Sequence, residues 1–178
     1  MPTHRISVND YEVEIFPEPG DVQFDHSYIN ADYWTSPILV RVYKDEDILK
    51  AVLIGSCGGG TSVHETSFIV EPDRIVLCCS DSIFCLSIPD LELLWRTPAD
   101  SATCFEIFKY HDSYIIHGEL EITRLDKNGK ILWQQSGADI FTSLHSEKGD
   151  FLITDDYIMA TDWDRRKYKF DFNGNIIS

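Results

Sequence analysis

The sequence repeats in units of roughly 40 residues, and this period constrains the fold more than any other feature of the chain. Each unit contains about four short runs rich in Val, Ile, Leu, Tyr and Phe, separated by turn-forming Gly, Asn, Asp or Pro. Trp95 and Trp133 lie 38 residues apart, near the ends of two successive units. Four strands within about 40 residues are the proportions of a β-propeller blade.

Three such units occupy residues 64–98, 99–137 and 138–178. Their predicted strands are 68–70, 74–77, 83–86 and 93–95, then 105–108, 114–116, 121–125 and 131–133, then 141–144, 151–153, 157–160 and 167–170, with 175–177 at the end. Residues 1–60 are predicted to form a diverged N-terminal β unit or a cap. We therefore expect residues 1–178 to form a single all-β domain.

One segment carries a recognisable signature. The stretch from Leu125 to Trp133, LDKNGKILW, resembles the blade repeat of quinoprotein-type (PQQ-like) β-propellers, and weaker copies extend the resemblance over about residues 64–178. In that family a strand ends in Asp, a turn with Gly follows, and the next strand carries a Trp that packs between blades. The resemblance implies that Trp95 and Trp133 are packing residues and that Asp126 and Gly129 are turn residues. It implies no catalytic or cofactor-binding residue, and no cofactor is predicted.

Closed propellers of this type have more blades than this chain supplies. Three clear units and one diverged unit predict a small or incomplete β-propeller of antiparallel four-stranded repeats, with a β-sandwich as the alternative. The pairs Asn128-Gly129 and Asn173-Gly174 predict type I′ hairpin turns, because both residues tolerate positive φ.

The charge is strongly negative, with 30 acidic against 15 basic residues and a net charge of −15. Such a surface repels nucleic-acid phosphates and anionic membranes, so neither is a predicted partner. A basic protein would be attracted and its encounter accelerated. Solubility alone also accounts for an acidic surface, and both explanations stay open.

The N-terminus has no basic start followed by an apolar run, and no stretch approaches the length of a membrane helix. These features predict a cytoplasmic protein. The odd number of cysteines predicts reduced thiols, and their spacing matches no zinc motif. They are Cys57, Cys78, Cys79, Cys85 and Cys104.

One cluster near the C-terminus is the predicted binding surface. It combines four carboxylates with an aromatic side chain: Asp155, Asp156, Asp162, Trp163 and Asp164. Carboxylates this close in sequence could gather around calcium. Solvated turns at strand ends are the alternative, and no metal site is predicted.

Other motifs carry weaker signals. The run from Ser56 to Thr61 contains three glycines and a cysteine, with His64 nearby, but it lacks the Lys of a phosphate loop. Asp171 to Gly174 begins like an EF-hand loop without its later Glu. The aromatic residues Tyr33 and Trp34 could be exposed, and the six histidines show no zinc spacing.

Two functions from different classes remain. The favoured one is a non-enzymatic protein-binding module, in particular an immunity- or inhibitor-type protein that neutralises a basic toxin or nuclease. The alternative is a small propeller-like metal-dependent hydrolase or lactonase, which needs carboxylates and histidines in one pocket. The sequence does not determine the oligomeric state.

Overall fold

A computed structural model describes residues 4–17, 19–29, 36–142 and 149–177. These residues form sixteen β-strands in four sheets, and the described part of the chain contains no helix. Three residues considered above lie outside the described residues: Tyr33 and Trp34, the two aromatic residues that could be exposed, and His145, one of the six histidines.

The sheets follow one another along the chain. The first contains β1 (His4–Val8), β2 (Tyr11–Pro17), β3 (His26–Ile29), β4 (Ile38–Lys44) and β5 (Asp47–Gly55). The second contains β6 (Phe68–Glu71), β7 (Arg74–Cys79), β8 (Ser82–Ser87) and β9 (Leu93–Pro98). The third contains β10 (Cys104–Tyr110), β11 (Ser113–Gly118), β12 (Glu121–Asp126) and β13 (Ile131–Ser136), and the fourth contains β14 (Phe151–Ile153), β15 (Ile158–Thr161) and β16 (Lys167–Phe170).

The second and third sheets are four-stranded antiparallel meanders, in which each strand pairs with the next one along the chain. The fourth sheet follows the same order, and a bridge from Phe170 to Ile176 takes the position of its fourth strand. The first sheet has the order β1-β2-β4-β5-β3. Without β3 it is the same meander. The residues between β2 and β4 supply an additional strand that runs parallel to β5.

Two predicted details are wrong. The fourth sheet begins at Phe151, and Phe141 and Thr142 belong to the connection before it, whereas residues 143 and 144 lie outside the described part. Phe141 is apolar because it fills a core, not because it lies in a strand. A run of apolar residues alone does not separate these two cases.

The Asn-Gly turns also differ from the prediction. A type I′ turn needs positive φ at both central residues, but only Gly129 and Gly174 have it, with φ of 81° and 84°. The Asp126 carboxylate determines the turn instead. It accepts hydrogen bonds from the backbone N–H groups of Asn128 and Lys130, at 2.8 and 2.9 Å, and so stabilises a wider loop. Asp171 binds the N–H groups of the equivalent fourth-sheet turn in the same way.

Three apolar clusters join consecutive sheets. The first lies between sheets one and two around Ile15 and Phe84, the second between sheets two and three around Cys85 and Tyr114, and the third between sheets three and four. We call the side of a sheet that meets the next sheet along the chain its forward face. Adjacent cysteines on β7 demonstrate the alternation, since Cys78 lies in the second cluster and Cys79 in the first. All five cysteines are free thiols.

The two repeat tryptophans have equivalent surroundings on successive forward faces. A Cβ added to Gly129 would lie 2.5 Å from the Trp95 ring, and one added to Gly174 would lie 2.6 Å from the Trp133 ring. Each indole therefore rests on the main chain of a turn in the next sheet. Two residues further along each strand, Thr97 donates a hydrogen bond to the Gly129 carbonyl, at 2.6 Å, and Gln135 donates one to the Gly174 carbonyl, at 3.0 Å.

Substituting Gly129 by Ala tests this contact. We expect the free energy of unfolding to fall by about 2–4 kcal/mol, because the methyl group collides with Trp95 and the residue has positive φ. Gly20→Ala is the matched control, since Gly20 also has positive φ but no atom within 4 Å of an added Cβ. Urea denaturation should show a loss of only about 1 kcal/mol for the control. Equal losses would mean that the indole contact contributes nothing.

Candidate functional site

Two hairpin turns of every sheet lie at the same end of the molecule as a result of the sheet topology. In each sheet, the turns that connect the first strand to the second and the third to the fourth lie at the same end, because the strands alternate in direction. Contacts between sheets keep these ends together. Asn9 donates a hydrogen bond of 2.8 Å to the Pro72 carbonyl, and the Tyr110 ring stacks on Phe172 with centroids 3.9 Å apart. We call this surface the turn end and the opposite one the connection end.

The turn end is rich in acidic residues. Ten carboxylate residues in or beside its turns are exposed: Asp10, Asp45, Glu46, Asp47, Asp73, Asp90, Glu92, Asp112, Asp155 and Asp156. Three exposed lysines accompany them, namely Lys44, Lys127 and Lys130. The connection end of the fourth sheet differs, because Arg165, Arg166 and Lys167 are consecutive and exposed there.

The predicted binding cluster is divided between these two ends. Asp155 and Asp156 lie in the turn between β14 and β15, at the turn end, and both are exposed. Asp162, Trp163 and Asp164 follow β15, at the connection end. A four-residue strand separates the two groups by about 13 Å. The structure therefore does not bring the five residues together.

Asp162 is buried in the turn between β15 and β16. Its carboxylate accepts hydrogen bonds from the Arg166 backbone N–H at 2.9 Å, the Tyr168 hydroxyl at 2.8 Å and the Arg166 guanidinium at 3.2 Å. Burial raises the pKa of Asp162, but these hydrogen bonds outweigh it and leave the pKa below its ordinary value. Asp162 thus stabilises its own turn, as Asp126 and Asp171 stabilise theirs.

Trp163 is the exposed apolar member of this group, with 41% of its surface accessible. Its backbone N–H donates to the Ile140 carbonyl at 2.8 Å, which fixes the main chain and leaves the indole at the surface. Asp164 accepts a hydrogen bond of 2.6 Å from the Arg166 guanidinium. The surroundings of Trp163 therefore combine both signs of charge.

The glycine-rich run has a packing role in the structure. Gly59 donates its backbone N–H to the Ala102 carbonyl at 3.2 Å, and an added Cβ at Gly58 would lie 2.0 Å from the same oxygen. Ser56 is fully buried, donates a hydrogen bond to Asp81 and accepts one of 2.5 Å from Arg96. These contacts join the end of the first sheet to the second sheet and to the connection that leads from the second sheet to the third.

A chain of polar side chains that the sequence alone does not reveal joins three parts of the molecule: the connection before the second sheet, the third sheet, and the connection before the fourth sheet. Thr66 links His64 to Glu106, with distances of 3.1 Å to the His64 Nδ1 and 2.7 Å to the carboxylate. Glu106 also lies 2.8 Å from the Nδ1 of His117, whose Nε2 lies 2.9 Å from the Phe141 carbonyl. Both ring nitrogens of His117 therefore have a polar partner.

The pKa of Glu106 reflects this arrangement. Burial raises it, but hydrogen bonds from His117 and Thr66 outweigh burial and leave it below its ordinary value. The signal in sequence was weak, because Glu106 and His117 are eleven residues apart and meet only through the pairing of β10 with β11. No group of three or more His, Cys, Asp or Glu side chains within the described ranges is arranged to hold a metal ion.

The outer face of the first sheet contains a hollow of about 570 Å³. Its lining comes from Arg41, Ile48 and Ala51 of the sheet and from residues 22–25. The Nε atom of Arg41 is buried and has no hydrogen-bond partner in the described structure.

Comparisons with known proteins identify the fold. No protein-family model matches the chain, and no curated protein sequence matches it. BamB from Moraxella catarrhalis is similar in structure, with a TM-score of 0.56 and 18% identity over 99% of this chain and 51% of that chain. Apo AztD from Citrobacter koseri has a TM-score of 0.50 and 13% identity over 99% of this chain and 57% of that one.

The computationally designed protein Ika4 is also similar, with a TM-score of 0.50 and 10% identity over 69% of this chain and 79% of that chain. Because the match with BamB covers 51% of that protein's chain, the present chain spans about half the length of BamB. BamB is PQQ-like, and BamB and AztD are β-propeller-type proteins. The predicted all-β, propeller-like fold of antiparallel four-stranded, blade-like repeats is confirmed.

Substitutions at Asp162 and Trp163 should separate a structural role from a surface role. Asp162→Asn leaves buried donors poorly paired, so we expect a loss of about 1–3 kcal/mol in unfolding free energy at neutral pH. Trp163→Ala should change it by less than about 0.5 kcal/mol.

The loss of unfolding free energy caused by Asp162→Asn should become smaller as the pH falls. Because the pKa of the folded state lies below the ordinary value of 3.8, the ionised carboxylate stabilises the fold above that pH and less so as pH falls through the folded pKa. The difference between wild type and Asp162→Asn should therefore shrink in acid. Chemical denaturation at several pH values measures it, and a difference that grows in acid would contradict the assignment.

Proposed function

We propose that this chain is a non-enzymatic module that binds a basic protein through its turn end. The observation that carries the proposal is the set of ten exposed carboxylate residues at this end, contributed by all four sheets and accompanied by three exposed lysines. Turns on a rigid β-scaffold are common binding sites, since their side chains vary while the strands hold them in place.

The local chemistry keeps this surface negative. Asp171 accepts hydrogen bonds from Asn175 and from backbone N–H groups of its own turn, which hold its pKa below the ordinary value. Arg74 lowers the pKa of Asp73 by a hydrogen bond and an ion pair. These carboxylates remain ionised at neutral pH, so the turn end presents a field that attracts cations over about one Debye length, roughly 8–10 Å at physiological salt.

The chemistry of the surface favours a protein partner over other macromolecules. Phosphate backbones and anionic lipid headgroups carry the same sign of charge as the turn end and would be repelled. A specific version of the proposal is an immunity- or inhibitor-type protein that neutralises a basic toxin or nuclease by covering its cationic surface. The proposed location is the cytoplasm, where the free thiols would remain reduced. The alternative of a metal-dependent hydrolase or lactonase stays a sequence-based prediction.

Two variants with the same net charge test the location of the binding surface. The turn-end variant replaces Asp112, Asp155 and Asp156 by Asn, and the control variant carries Asp21→Asn, Glu65→Gln and Asp164→Asn. Each removes three negative charges from exposed positions, so both have a net charge of −12 instead of −15.

The immobilised wild type should retain a basic protein from a native lysate at low salt and release it at about 1 M salt, where the Debye length is about 3 Å. Association of that purified protein, measured by stopped flow, should slow about three- to ten-fold with the turn-end variant and less than about two-fold with the control. The proposal is wrong if no partner is retained at low salt, or if both variants slow association equally.

A further inference from the structure

Among the described residues, no sheet covers the forward face of the fourth sheet. On the third sheet, Phe108 and Ile115 are cross-strand neighbours on the forward face, and the fourth sheet covers them. Phe108 stacks on Phe151 with centroids 5.4 Å apart, and Ile115 is fully buried. The corresponding pair on the fourth sheet is Leu152 and Met159. Leu152 is 41% exposed, since no further sheet among the described residues covers it.

Two lysines accompany this apolar pair. Lys169 pairs with Met159 across the strands, and Lys167 lies on the same face of β16. The Lys169 ammonium lies 5.0 Å above the ring centre of Tyr157. The forward face of the fourth sheet is therefore apolar at its centre and positively charged at its outer strand.

The outer face of the first sheet has complementary features. It contains the hollow at Arg41, and two exposed apolar side chains line that hollow, Phe24 and Ile48, at 45% and 53% exposure. Glu14 lies on the same face and accepts a hydrogen bond of 2.5 Å from the Tyr43 hydroxyl, and Asp25 lies beside the hollow. Arg5, Arg41 and Glu12 also lie on this face, so three carboxylates stand against two guanidinium groups and the face is slightly negative. Its apolar side chains, its hollow and its excess of carboxylates match the apolar side chains and lysines of the fourth sheet.

The comparison with BamB supplies the geometry. The structural match covers 99% of this chain but only 51% of the BamB chain, so the four sheets correspond to about half of that arrangement of sheets. Propellers arrange their blades around a central channel, which protects the faces of every blade. Two half-assemblies joined by a two-fold rotation would bring the first sheet of each copy to the fourth sheet of the other.

We infer that two copies of this chain associate head to tail, with the forward face of each fourth sheet on the outer face of the partner's first sheet. The occupant of each face is thus a second copy of the chain. Pairing of two fourth-sheet faces is disfavoured, because it would bring Lys167 and Lys169 of both copies together. This inference does not depend on the proposed function, since the turn end is a different surface.

Sedimentation velocity and light scattering test the association. The wild type at about 0.1 mM should sediment mainly as a species of twice 20.4 kDa, as expected for a Kd below about 10 µM. The fourth-sheet variant, Leu152→Asp with Lys169→Glu, and the first-sheet variant, Phe24→Lys with Ile48→Lys, should each be monomeric. Each places like charges at both contacts, and we expect association to weaken at least about ten-fold.

Mixing the two variants makes the test specific for head-to-tail pairing. One contact in the mixed dimer then has wild-type faces, and the other pairs new lysines with new carboxylates, so dimers should reappear. The control Leu132→Asp, at a 49% exposed position on β13, should dimerise as the wild type does. A monomeric wild type at 0.1 mM, a variant that still dimerises alone or a mixture that stays monomeric would each overturn the inference; circular dichroism verifies that each variant is folded.

Discussion

An indole resting on a main-chain glycine joins the second sheet to the third and the third sheet to the fourth, and the repeat arrangement of these sheets depends on it. Trp95 contacts the turn at Gly129, and Trp133 contacts the turn at Gly174. A large aromatic side chain buries much apolar area, and glycine allows the backbone to approach it and to adopt positive φ. Because the contact connects equivalent positions, it sets the spacing between sheets and keeps their ends aligned.

Aligned sheets concentrate charge. Aspartate is a good turn residue because its carboxylate binds nearby backbone N–H groups, as Asp126 and Asp171 do. A chain of hairpins therefore carries acidic residues at regular intervals for reasons of local structure. Since these hairpin turns lie at the same end of every sheet, the acidic residues accumulate at the turn end. The acidic surface that we propose for binding thus arises in part because the hairpin turns of the sheets favour aspartate. Its exposed residues, such as Asp155 and Asp156, are available to a partner.

Among the described residues, the first and fourth sheets each pack against another sheet on one side only. Each unit of a repeat protein needs neighbours, and terminal units need some form of cap. The first sheet carries the insertion between β2 and β4, which supplies β3 and lines the hollow at Arg41. The fourth sheet exposes Leu152. Association of two copies would protect both end faces, in the way that ring closure does within longer propeller chains.

The sequence by itself determined the fold class, the blade-like repeats and most strands, because these depend on local alternation and on residues such as Gly129 that a turn requires. The first strand of the fourth sheet was misplaced, since a core residue in a connection, Phe141, is as apolar as one in a strand. The tertiary structure alone decided the site. It placed Asp155 and Asp162 at opposite ends of β15, joined Glu106 to His117 across two strands, and brought turns from four sheets to one surface. Such proximities depend on pairing and register between distant segments, which local sequence does not encode.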